Sequence, residues 1–326
     1  MRVAVIGGTG FIGRAIVAEL ESAGHAILVI HRGQREAEQA TSAQHAHVER
    51  HDVAGLVAAF DRFEVDALVD GIALTARDAD DILTAVPGAL RMLVLSSIDV
   101  LRAFGAVHAD AESDPLPLDE RAPTRSERYL YRGRHPGMDD YEKLDVEERF
   151  LWRGATVIRL PMVYGEHDPQ HREEPILRRL RAGRTQIPIR AGNWLCTRGY
   201  VREMARGVRL ALESEATRGE IFNLGEARTW SVRAWYEQIV AAAGAGATLV
   251  PVGGAALPPD LGLASTIRQH VLVDSSKARE MLGWVHADPF ETVRRSVRWH
   301  LEHPPAESDP DFSADDAALA EAPESG

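Results

Sequence analysis

The chain has 326 residues, 45% of them hydrophobic and 26% charged, which excludes disorder throughout and suffices for one large α/β domain or a domain with a smaller lobe. A single cysteine, Cys196, excludes an intramolecular disulfide framework; no apolar run nears the roughly 18 to 20 residues of a membrane helix, and no charged-then-apolar leader opens the chain, so the expectation is a cytoplasmic protein that does not span a bilayer. The net charge is −12, but seven acids and no base follow residue 306, leaving the body at about −5; an acidic body without a basic block opposes nucleic acid held through its phosphates.

Residues 1–160 alternate short β-branched runs with helical patterns, the signature of an α/β fold with a doubly wound parallel (Rossmann) sheet. Residues 2–6 read as a buried strand, 11–23 as a helix and 26–30 as the next strand. Between the first two lies Gly7-Gly8-Thr9-Gly10-Phe11-Ile12-Gly13, with Gly7, Gly10 and Gly13 three apart. Such a turn admits positive φ and lets backbone N–H groups close on a pyrophosphate. Phe11 and Ile12 open a helix whose N-terminus favours the anion.

The second strand ends in His31-Arg32-Gly33, with no acid for the ribose hydroxyls of NAD. Arg32 either meets a 2′-phosphate, which favours NADP, or is simply solvated. Further strands are expected at 47–51, 67–69, 92–95 and 156–158, and helices at 53–61, 76–85 and 140–152. Asp52 either hydrogen-bonds an adenine or caps the helix after it.

From residue 161 the rhythm changes. Helices are expected at 174–182, 202–213, 232–243 and 290–300, forming a substrate lobe over 161–302 after a dinucleotide-binding domain over 1–160. The Pro-, Ala- and acid-rich stretch 303–326 lacks apolar periodicity and is expected to be a disordered tail. The aromatic residues of 230–236 recur at helical spacing and read as core. No His or Cys pattern has metal-ligand spacing, so no metal is expected.

The glycine turn, Leu95-Ser96-Ser97, Lys143, Arg159-Leu160-Pro161-Met162-Val163-Tyr164-Gly165, Asn223-Leu224-Gly225 and Asp274-Ser275-Ser276-Lys277 occur in order along the chain. With these motifs the chain, from residue 1 to about 302, resembles the extended short-chain dehydrogenase/reductase family of nucleotide-sugar epimerases, dehydratases and related reductases. The resemblance implies a Rossmann sheet with a small C-terminal substrate lobe, a nicotinamide dinucleotide, and a catalytic Ser/Thr, Tyr and Lys. Ser97 matches the serine that would polarise a substrate oxygen. Lys143, one of two lysines among 37 cationic residues, matches the lysine that would hold the nicotinamide ribose and lower the pKa of a neighbouring acid.

The tyrosine departs from the family pattern Tyr-x-x-x-Lys. Asp139 stands four before Lys143, and Tyr141, two before it, falls about 200° around a regular helix. Three readings compete: Asp139 as acid or base, a frayed helix start that swings Tyr141 inward, or lapsed hydride chemistry. A tyrosine from Tyr129-Leu130-Tyr131 is a further candidate. Asp99 stands where dehydratases of the family carry a catalytic carboxylate, with a capping or solvated aspartate as the competing reading. Arg198, in Arg198-Gly199-Tyr200-Val201, is similar to the family's arginine that contacts a sugar-nucleotide phosphate, with a surface salt bridge as the alternative.

These readings lead to an NAD(P)-dependent enzyme transferring hydride to or from a sugar-like or small alcohol or ketone. The rival is a dinucleotide-binding regulator or sensor without redox turnover; an RNA-binding member of the fold is opposed by the acid balance. A homodimer is expected on the resemblance alone.

Overall fold

A computed structural model describes residues 1–33, 42–253, 256–306 and 311–322. Its first half runs β1 (Arg2–Ile6), α1 (Phe11–Ser22), β2 (Ala26–His31), β3 (Gln44–His47), α2 (Val53–Phe63), β4 (Ala67–Asp70), α3 (Ala76–Ala85), β5 (Arg91–Ser97), α4 (Arg102–His108), α5 (Lys143–Trp152) and β6 (Thr156–Leu160). The second half runs β7 (Met162–Tyr164), α6 (Glu174–Arg181), β8 (Gln186–Ile189), β9 (Arg198–Tyr200), α7 (Val201–Glu213), β10 (Ile221–Asn223), α8 (Val232–Ala242), β11 (Thr248–Pro251), α9 (Ser276–Leu282), α10 (Pro289–Glu302) and α11 (Ser313–Ala320).

Among the described residues the central sheet has seven strands in the order β10-β6-β5-β4-β1-β2-β3, all parallel. Order reverses between β1 and β4, the crevice where doubly wound folds bind ligands. Alternate side chains feed two cores, as expected of strands buried on both faces. Val3, Val5 and Val29 meet Ile16, Leu20, Met204 and Val208 of α1 and α7. Ala4, Leu68, Val94 and Val157 meet Leu56, Phe60, Ile82 and Phe150 of α2, α3 and α5. Two short parallel pairs, β7 with β9 and β8 with β11, lie outside this sheet.

Four expectations are corrected. The third strand is Gln44–His47, ahead of 47–51, because its ladder pairs Gln44 to His47 with Leu28 to His31. The helix expected at 140–152 begins at Lys143, because the Glu142 side chain accepts from Leu144 N at 3.0 Å and caps it. The division at residue 160 is interleaved: α7 lies against α1, and β10 adds the final strand beside β6, covering an edge that would otherwise be unpaired. Finally, the stretch expected to be disordered holds α11. Asp315 is fully buried there, and both its oxygens meet Arg179, at 2.6 and 3.0 Å. Residues 307–310 and 323–326 of that stretch lie outside the described residues.

Candidate active site

The sequence order β1, glycine turn, α1 places a cradle at the sheet's reversal point. Gly7 has φ +82°, and a Cβ on Gly13 would lie 2.0 Å from the Gly7 carbonyl oxygen, so the turn closes only with glycines there. Gly10 caps α1 with no side chain over the first turn, and that turn carries no acid. Exposed N–H groups at a helix N-terminus suit a diphosphate. A cleft of about 350 Å³ continues from this turn past Ile30, His31, Arg32, Arg50 and Ile72. The turn residues that line it, Gly7, Thr9 and Gly10, leave room for a dinucleotide's diphosphate against the helix N-terminus.

At the far end of the cleft, Arg32 is exposed at its rim. His31 is buried, accepts from Gly33 N at Nδ1 and lies 2.8 Å from His45 Nδ1 through Nε2. Asp52 is used as the N-cap of α2, accepting from Gly55 N at 2.9 Å. Arg50 forks onto Asp70 with contacts of 3.0 and 2.6 Å and also meets Asp78 at 3.0 Å.

Lys143 opens α5, and its buried Nζ donates to Ala73 O at 2.6 Å and Leu95 O at 2.9 Å. Burial pushes its ammonium down to about 8, against the pull of Asp99 and Asp70. Because Tyr141 precedes the cap of α5, helical spacing does not govern its direction. Its side chain is buried, its hydroxyl donates to Asp99 Oδ2 at 2.7 Å, and it also hydrogen-bonds Ser97. Tyr141 therefore turns inward onto Asp99.

Asp139 is corrected: its side chain is exposed and accepts from Gly133 N at 2.8 Å, while its carbonyl accepts from Arg132 Nε. It closes the turn 132–139 and does not approach Lys143 as a one-turn neighbour, since the helix has not begun.

Asp99 sits in the single 3₁₀ turn after β5, where the Ser97 hydroxyl accepts from Asp99 N at 3.2 Å. Its Oδ2 receives both Tyr141 and Tyr131, the latter at 3.2 Å, and its Oδ1 is buried without a hydrogen-bond partner among the described residues. Burial holds its carboxyl above the usual carboxylate range, opposed by the two phenols, Arg125 and Lys143. Neither competing sequence reading, solvated or capping, describes it.

A cavity of about 860 Å³ adjoins this cluster, with Phe104, Met162, Trp194, Trp235, Tyr236 and Tyr131 among its walls. Two arginines reach it, and each is paired: Arg172 with Asp168 and Arg178 with Asp260, both at 2.7 Å. The surface salt bridge read for Arg198 is corrected. Arg198 is 1% exposed, donates to Trp230 O at 2.9 Å and lies 4.5 Å from the Trp235 ring centre, a packing role behind the cavity wall.

Sequence reasoning missed two ion pairs. Arg50 and Asp70 were signalled only by a charged residue ending the apolar run Ala67-Leu68-Val69. The Arg125–Glu142 fork, with contacts of 2.9 and 2.6 Å, is wholly buried and joins residues 17 apart through tertiary packing, with no local pattern to announce it.

Comparison with known proteins adds the class. Residues 3–103 match the NAD dependent epimerase/dehydratase family. The fold is shared with dTDP-glucose 4,6-dehydratase from Bacillus anthracis in complex with NAD, at a TM-score of 0.71 and 14% identity over 93% of this chain and 97% of the other. It is shared equally with UDP-glucose 4-epimerase from Thermotoga maritima with UDP-glucose, at 0.69 and 19%, over 93% and 99%. At the level of the particular protein, the chain is similar to chloroplast stem-loop binding protein of 41 kDa b from Arabidopsis thaliana, 24% identical over 98% of this chain and 84% of the relative. Among the described residues no helix is long and apolar enough to cross a membrane, and no cluster of His, Cys, Asp and Glu could hold a metal.

Proposed function

We propose that this protein is a nicotinamide-dinucleotide-dependent oxidoreductase or epimerase/dehydratase acting on a sugar-like or small alcohol or ketone. The observation that carries the reading is the meeting of Ser97, Tyr141, Asp99 and Lys143 at the carboxyl end of β5, beside the glycine cradle. When bound, the dinucleotide supplies the hydride acceptor or donor. Lys143 then orients the ribose, Ser97 polarises the substrate oxygen, and the phenols on Asp99 hold and move the proton. The aromatic walls of the adjoining cavity suit the apolar face of a sugar ring or a small ketone.

Arg32, standing where NAD-preferring proteins present an acid, favours NADP. Fluorescence titration with NADPH and NADH tests this, with tighter NADPH binding expected. Turnover is sought on a panel of sugar nucleotides and ketones. Lys143→Ala is expected to abolish it in a folded protein, and wild-type rates in that variant would remove the site. Binding without turnover across the panel would favour the sensor, a reading that had rested on a missing tyrosine.

The likeness to a stem-loop binding protein supports a second reading, association with structured RNA. The net charge of −12 opposes it. Filter binding at low salt decides, and tight retention of a stem-loop RNA would reinstate it.

A further inference from the structure

The 16 residues between Arg125 and Glu142 carry chemistry that the family-like motifs do not account for. They are tied down at both ends by the buried fork of Arg125 on Glu142, whose Oε2 also accepts from Tyr129 N at 2.7 Å. This anchor delivers Tyr131 to Asp99. Its ring meets the Tyr141 ring edge-on, with centres 5.2 Å apart, and its hydroxyl donates to the same carboxylate oxygen that Tyr141 uses. Of the side chains bonded to Asp99, Tyr131 is also among those lining the 860 Å³ cavity; Tyr141 and Ser97 are not.

We propose that Tyr131 is a second acid–base residue of this site, the one that meets substrate in the cavity, with Asp99 as the store for its proton. This rests on the reading that the cavity takes an alcohol or ketone. A substrate hydroxyl gives its proton to the Tyr131 oxygen as Tyr131 gives its own to Asp99 Oδ2, while the carbon's hydride would go to the dinucleotide; one O–H bond forms and one breaks at the phenol, and in the reverse direction the same relay protonates the oxygen of the reduced carbonyl. Tyr131 would be a catalytic residue. Asp99 acts through it, and Tyr141 holds the same oxygen of that carboxylate. Burial favours the neutral carboxyl that stores the proton, while both phenols favour its ionised form.

The test uses the full chain and the variants Tyr131→Phe, Tyr141→Phe and Asp99→Asn. Infrared titration follows the protonated carboxyl band that Asp99→Asn removes. The groups facing Asp99 are Tyr131, Tyr141, Arg125, Lys143 and His108, and removing the Tyr131 hydroxyl takes away a donor to the ionised form. The band should therefore persist to higher pH in Tyr131→Phe, and an unmoved midpoint would overturn the proposal. With whichever panel compound the wild type turns over, Tyr131→Phe should lower kcat by about 100-fold or more with little change in KM; an unchanged kcat would likewise overturn it. If the wild type turns over nothing, the enzyme reading fails on its own, and the infrared midpoint still decides whether Tyr131 and Asp99 share a proton.

Discussion

Lys143 shows how one side chain links folding to chemistry. In water its ammonium would titrate near 10.4, yet in the fold burial holds it down to about 8. Between those values the unfolded chain binds a proton that the folded chain has released. Stability should therefore rise with pH from about 8 to about 9.5, the window below the ordinary tyrosine range. Urea midpoints measured across that window should climb in the wild type and stay flat in Lys143→Met. An equal slope in the variant would show that Lys143 is not the titrating group. The residue was readable as special from the sequence, since a chain that uses arginine almost throughout keeps a lysine where a tunable ammonium is useful. Tyr141 was not readable in the same way, because its direction depends on where α5 starts.

That start is set by Glu142, a matter of the element. Its carboxylate caps α5, receives Tyr129 N and forks with Arg125. The Arg125 guanidinium holds the acid below its usual range. Glu142→Gln keeps the shape and leaves Arg125 buried without its counter-ion, a loss of about 3–5 kcal/mol for a broken buried pair. Urea unfolding should register that loss, and amide exchange should quicken first across 125–142. A change below about 1 kcal/mol would mean that the fork is not what fixes this segment. Gly13 makes the complementary case at α1: a methyl there meets the Gly7 carbonyl, so Gly13→Ala should weaken dinucleotide binding, measured by calorimetry, and an unaltered affinity would sink the cradle.

At the scale of the whole molecule residues 311–322 are part of the fold. Arg179 of α6 holds both Asp260 and Asp315, so α11 is clamped to the segment that carries Leu263 and Asp260 into the cavity wall. Asp315→Ala leaves Arg179 its bond to Asp260, so the expected cost is smaller, about 1–3 kcal/mol. Thermal or urea unfolding checks it. No loss at all, with fast amide exchange over 313–320, would return the stretch to a loose tail.

The sequence by itself determined the sheet, the glycine cradle and the place of Lys143, because these rest on local facts. Period-2 and 3.6 patterns, glycines three apart and a strand-turn-helix order are all carried by neighbours in the chain. Only the tertiary structure decided that Tyr141 turns inward, that Tyr131 reaches the same carboxylate, that Asp139 and Arg198 serve packing and turns, and that an acidic tail folds back. Those outcomes depend on buried charges finding partners 17, 32 or 136 residues away, and the cost of leaving such a charge unpaired is invisible until the chain has closed around it.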